Sequence, residues 1–266
     1  NIKDFKIFTK SIKFLFLYNF LFFKNEKNYI DTILRFNNLK KKKINLNILD
    51  NQFKEYVAGK ELSILGPLAN KISLKNKKLN NSLIIRFKNN NFLKKSDYSP
   101  NIIYLNGSAS KAYYKKKNYI LKKKKLTWVI YIHKHLYKMY YKKNRLKHRF
   151  ADNTAANLFT CFTELNLLQK VIFDLILFNP KKISLYNFDI KLSKNTKIGY
   201  GVYDTLKKQK KIKMSFLHNQ IIMFDFINFF YKEKKINLDK RLKKIITSGK
   251  DNYLKQLELT WKQKIS

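Results

Sequence analysis

Cysteine, glycine, proline, arginine and acidic residues are all scarce in this chain, and each scarcity excludes something. The single cysteine, Cys161, sits inside an apolar helical pattern. One thiol cannot close an internal disulfide or build a Cys-rich metal site, and it fits a reducing, cytoplasmic compartment. Six glycines leave no G-x-G-x-x-G and no Walker A loop. No D-x-D pair occurs, so the usual acidic grip on a metal-bound diphosphate is missing. There is no H-E-x-x-H, and His133 and His135 have no cysteine or acid nearby, so no metal and no cofactor are expected.

Long apolar runs are missing too. The longest, Phe14–Phe23, spans ten residues, whereas a bilayer crossing needs about twenty. With Lys10, Lys13 and Lys24 around it, this run reads either as a packing helix, the reading we favour, or as an interfacial helix on an anionic membrane. The chain opens on Asn1 rather than methionine, which leaves room for a longer polypeptide.

What is abundant is lysine. Against 17 acids stand 58 basic residues, only five of them arginine (Arg35, Arg86, Arg145, Arg149 and Arg241), for a formal charge of +41. Together with the abundant Asn, Ile, Phe and Tyr, this is the signature of an AT-rich genome, and codon drift accounts for much of the charge. Base readout favours arginine, so specific nucleic-acid recognition is not expected. A lysine-rich surface still attracts anions such as acidic membranes, nucleotide sugars and phosphate backbones. At 45% hydrophobic the chain is no disordered polycation, and 266 residues suffice for one large α/β domain or two small ones.

Residues 1–60 read as a helical segment, with a second helix suggested by Ile30, Ile33, Leu34 and Phe36–Leu39 and a solvated run at Lys40–Lys43. From Glu61 onward the pattern alternates. Short apolar runs at Leu62–Leu65, Leu83–Phe87 and Ile102–Leu105 end in Gly66-Pro67, Lys88-Asn89-Asn90 and Asn106-Gly107-Ser108. Continuous apolar runs bounded by turn residues predict buried parallel strands. Further strands are predicted at 126–132, at 182–188 with Asp189 at its tip, and at 212–217. Helices are predicted from His133 to about His148, from an N-cap at Asp152 or Asn153 to Asn179-Pro180, and over 219–234, 238–247 and 252–263. The fold class is therefore α/β: a mostly parallel Rossmann-like sheet over 61–266, flanked by helices, behind the helical segment 1–60. In such sheets ligands bind beyond the carboxyl ends of the strands.

The candidates for chemistry sit at those ends. Gly66-Pro67 closes the first strand. Arg86 is one of few planar, bidentate cations in a lysine-dominated chain. Asn89, Asn90 and Asn106 each offer an amide to a base edge or a sugar hydroxyl, although in an Asn-rich chain each alone is equally a turn residue. His218 follows a predicted strand and precedes an apolar helix, and its ordinary pKa suits removal of a proton from a hydroxyl. A helix-start histidine satisfied by backbone is an equal reading of the same pattern.

In order, the G-P turn, the I-R-F-x-N run, the Y-x-N-G turn, the T-A-A helix start, the F-D strand end and the single histidine before a helix resemble bacterial and animal sialyltransferases over about residues 61–234. The resemblance implies a modified Rossmann-type fold and a metal-independent glycosyltransferase using a cytidine-nucleotide donor. It implies that Gly66, Pro67, Arg86, Asn89, Asn106, Gly107, Asn153, Thr154 and Asp189 line the donor. By the same likeness Tyr200 and Tyr203 bond the leaving phosphate, and His218 is the general base. Leu65 stands where an asparagine usually precedes the G-P turn, the asparagines after Arg86 fall late, and the T-A-A turn lacks glycine. An altered donor is thus expected: a CMP-sialic-acid-like sugar, or a CDP-linked group such as a phosphoramidate. The expected acceptor is a surface glycan, capsule or lipooligosaccharide, reached from the cytoplasm or the inner face of the cytoplasmic membrane. The alternative is a basic nucleic-acid-binding or ribosome-associated protein without catalysis.

Overall fold

The computed structural model describes residues 48–66, 79, 81–87, 99–106, 125–140, 146–151, 165–190, 192 and 220–265. Seven strands form one sheet: β1 (Glu61–Leu65), β2 (Leu83–Phe87), β3 (Ile102–Leu105), β4 (Trp128–Tyr131), β5 (Lys147–Phe150), β6 (Lys182–Tyr186) and β7 (Ile236–Leu238). Their spatial order is β5-β4-β3-β2-β1-β6-β7, and every neighbouring pair is parallel. The described helices are α1 (Ile48–Val57), α2 (Lys134–Tyr140), α3 (Leu167–Ile176), α4 (Gln220–Lys232), α5 (Lys240–Thr247) and α6 (Lys250–Ile265). The chain is thus an α/β protein with a Rossmann-like parallel sheet and helices on both faces.

Side-chain alternation along the strands divides the core in two. On one face Leu62, Ile64, Ile85, Ile102, Tyr104, Trp128, Ile130, Ile183 and Leu185 merge with apolar residues of α1, α3, α4, α5 and α6. On the other, Ile103, Leu105, Val129 and Tyr131 meet Leu136 of α2. Helix α1 precedes Glu61 in sequence yet is part of the first core. Its Phe53 and Val57 are fully buried, and Phe53 stands edge-on to Trp128 with ring centroids 5.1 Å apart. Helix α4 is an apolar wedge: Phe226 and Phe230 pack on Phe173 of α3, and Phe224 stacks on Tyr253 of α6.

Several boundaries differ from the sequence expectation. The helix expected to reach about His148 is described over Lys134–Tyr140, and its expected end is instead the edge strand β5, Lys147–Phe150. Its polar Lys-His-Arg-Phe sequence carries no apolar run, yet His148 and Arg149 are buried because each finds a partner inside. The N-cap expected at Asp152 or Asn153 lies outside the described residues, and the long helix expected to run on from it is broken at Leu165–Asn166, with α3 beginning at Leu167. Asn166 caps it through a reciprocal box with Gln169, which satisfies two helix-start donors locally. The strand expected to reach Phe188 ends at Tyr186, because Asn187 takes a left-handed conformation at φ 60°. Leu238 was expected to start a helix but ends the three-residue strand β7, and α5 begins after the N-cap Asp239. The expected strand 212–217 and everything before residue 48 lie outside the described residues.

Candidate functional site

The chain builds β1 to β5 outward in one direction and then returns to place β6 on the other side of β1. The switch point of the sheet therefore lies between β1 and β6. Beyond the carboxyl ends of such a pair the two connections diverge and leave a crevice, the usual ligand position in open α/β sheets.

Local sequence shapes this junction closely. The Gly66 N–H donates to Tyr186 O at 2.7 Å, extending the β1–β6 pairing by one bond. A Cβ on Gly66 would fall well inside contact with the Asn187 carbonyl and the Phe188 ring, so no other residue fits without moving the β6 turn. Phe188 packs against Phe87 at the end of β2, with ring centroids 5.9 Å apart. Asp239 ties the next turn down: one carboxylate oxygen accepts from Asn187 N at 2.6 Å, the other from Leu242 N at 2.8 Å. One side chain thus caps α5 and fixes the end of β6. Past Phe188 the backbone is strained again, since the β-branched Ile190 holds φ at 50°. The buried Tyr253 hydroxyl donates to Ile190 O at 3.0 Å and secures that conformation.

Four of the residues singled out from sequence are described, and the sheet brings all four to one edge. Gly66 follows β1, Arg86 is the penultimate residue of β2, Asn106 follows β3, and Asp189 lies three residues beyond β6. These strands are consecutive neighbours, β6-β1-β2-β3, so the group spans about 14 Å at ordinary strand spacing. Arg86 pairs in register with Leu65 and Ile103 and shares their face of the sheet. Burial lowers its guanidinium pKa to about 10, which leaves it charged at neutral pH. Asn106 is half-buried. Asp189 is 0% exposed, and Arg241 Nη2 donates to its carboxylate at 3.4 Å. Gly66 and Asp189 are therefore engaged in packing and pairing that build the edge. Pro67, Asn89, Gly107, Asn153, Thr154, Tyr200, Tyr203 and His218 lie outside the described residues. Helix α4 opens at Gln220, two residues after His218 in sequence.

Two polar clusters escaped the sequence reading. In the first core, Arg149 of β5 makes a bidentate pair with Asp174 of α3 (2.7 and 2.6 Å) and reaches Asp50 of α1 through Nε at 2.5 Å. The Tyr104 hydroxyl donates to Asp174 at 2.6 Å, and the guanidinium stacks on Phe53 and Phe178. Burial alone would lower the Arg149 pKa, but Asp174, with Tyr104 and Asp50, holds it above its ordinary value. Burial and the Asp174 charge push the Tyr104 phenol well up. This cluster is a permanently charged lock between sheet and helices, suited to rigidity rather than proton transfer. In the second core, His148 stacks on Tyr131 and shares a 2.9 Å hydrogen bond with its hydroxyl. Burial lowers its pKa to about 4, so it is neutral at pH 7. Only the N-cap Asp239 carried a local signal, an acid placed just before an amphipathic run.

No protein-family model matches the chain, and no curated protein matches it significantly. Among the described residues, no group of three or more His, Cys, Asp or Glu is placed to hold a metal ion. Nor, among them, is any helix long and apolar enough to cross a membrane.

Proposed function

We propose that the chain is a transferase that binds a cytidine-nucleotide donor at the carboxyl edge of strands β6-β1-β2-β3 and moves the activated group to a glycan hydroxyl. The observation that carries this reading is the convergence of Gly66, Arg86, Asn106 and Asp189 on neighbouring strand ends at a switch point. They are separated by up to 123 positions in the chain, yet the order of motifs that singled them out resembles that of the sialyltransferases. A charged guanidinium on β2 suits a phosphate, and an amide at the end of β3 suits a base or ribose. In the proposed reaction His218 takes the proton of the acceptor hydroxyl as that oxygen attacks the activated group. Tyr200 and Tyr203 donate to the phosphate as it leaves.

Calorimetric titration of the full chain with CMP, CDP, AMP, GMP and UMP tests the reading. Selective binding of the cytidine nucleotides is expected, and equal or absent binding overturns it. With a cytidine donor established, His218→Ala should keep donor binding and lose transfer by at least about a hundredfold.

A second reading draws on the exposed basic run Lys232, Lys234, Lys235, Lys240, Arg241, Lys243 and Lys244 around β7 and α5. Such a surface suits a nucleic-acid backbone. It predicts affinity for any single-stranded oligonucleotide that falls steeply with salt and shows no base preference.

A further inference from the structure

Irregular backbone, buried charge and an exposed cation coincide at one place, the turn after β6. Asn187 and Ile190 both hold left-handed conformations, at φ 60° and 50°. For a β-branched residue this conformation is a genuine outlier, kept only where the surroundings over-determine it, and such outliers cluster at ligand-binding sites. Between them lies Asp189, fully buried, whose carboxylate would be costly without a counter-charge. Arg241, the second residue of α5, supplies a counter-charge, reaching across 52 positions of sequence. Its side chain is still 45% exposed.

We propose that Arg241, oriented by Asp189, binds a phosphate group of the ligand at the β1–β6 switch point. The assignment rests on the cytidine-nucleotide reading of that edge and names a residue to which neither the motif order nor the resemblance gives a role. Three observations favour it. Asp189 lies three residues beyond β6 and accepts from Arg241 Nη2 at 3.4 Å, which sets the guanidinium at the carboxyl end of β6, the strand that borders the switch point. A buried carboxylate fixes the orientation of a planar cation in a way no exposed lysine shares, and pre-orientation lowers the entropic cost of gripping an anion. Lys240, Lys243 and Lys244, all exposed on the same helix, raise the local positive potential and draw an anion in without fixing it.

The test compares ligands that differ only in phosphate. CDP and cytidine are titrated against the full chain and against Arg241→Gln and Arg241→Lys. For Arg241→Gln, CDP affinity should fall about tenfold or more, the loss of one charge-assisted contact, while cytidine affinity is unchanged. Arg241→Lys keeps the charge without the fork and should fall in between. Unaltered CDP affinity in Arg241→Gln, or an equal loss for CDP and cytidine, overturns the proposal.

Because Asp189 is buried, either variant could fail to fold, so a measurement on the unaltered chain runs in parallel. Phenylglyoxal labelling of Arg241, followed by peptide mass spectrometry, should be slowed several-fold by CDP and by inorganic pyrophosphate, but not by cytidine. Protection by pyrophosphate without any cytidine-nucleotide preference would leave Arg241 as an anion site and remove the cytidine reading. Selective CDP binding that leaves Arg241 labelling unchanged would do the reverse. Labelling unaffected by both phosphate compounds overturns the proposal.

Discussion

At the scale of single residues, His148 carries the clearest consequence. Its imidazole is buried on the second face, stacked on Tyr131, and its pKa lies near 4 instead of 6.5. Above pH 6.5 the ring is neutral in both folded and unfolded chains, and pH has no leverage through it. As pH falls from 6.5 towards 4, the unfolded chain takes up a proton that the folded chain refuses, and stability drops. Below about pH 4 both forms are protonated and the loss is complete, at most on the order of 3 kcal/mol. Urea unfolding of the wild type and of His148→Gln across this range should show a steeper loss of stability in the wild type. Parallel profiles would mean that the ring is protonated in the fold. Gly66 and Arg241 make a different point at the same scale. Gly66 was singled out for a ligand, but the glycine is required first by the Asn187 carbonyl. Arg241 attracted no attention, because its meaning comes from Asp189, which no local pattern connects to it.

At the scale of elements, the strands that were legible, β1 to β4 and β6, are those inside the sheet. β1, β2, β3 and β4 are continuous apolar runs between turn residues, as central parallel strands must be. The two edge strands were not legible. β7 has only three residues, a length that limits unpaired edge. β5 hides its inward positions behind polar identities, since Arg149 is at home in the core only because Asp174 and Asp50 meet it there. The lock thus fastens β5 and β3 to α1 and α3. Removing one partner leaves an uncompensated buried charge, so Arg149→Met and Asp174→Leu should each cost about 3–5 kcal/mol. The double variant, measured in the same denaturant cycle, should lose clearly less than the sum. Strict additivity would show that the two groups do not act as a pair. The α3 boundary was misplaced for a related reason: apolar periodicity runs on upstream of Leu167, but the Asn166–Gln169 capping box sets the start.

At the scale of the whole molecule, the parallel sheet and its returning β6 turn scattered strand-end residues into one edge. The class of fold was legible because apolar runs and helical stretches alternate. The strand order was not, because nothing local in Lys182–Tyr186 says that it pairs with Glu61–Leu65 rather than with its sequence neighbours. The candidate site was legible as a set of strand tips, while the contacts that build that edge, Gly66 on Asn187, Asp239 on Asn187 and Arg241 on Asp189, exist only once β6 has returned. The formal charge of +41 favours anions of every kind, so bare affinity for a polyanion says little about this edge. The most direct measurement is hydrogen–deuterium exchange of the full chain with and without CDP, read peptide by peptide. The account predicts slowed exchange where β1, β2, β3 and β6 end, around Gly66, Arg86, Asn106 and Asn187–Ile190. Exchange unchanged there, or slowed only along the lysine-rich surface around β7 and α5, would contradict it.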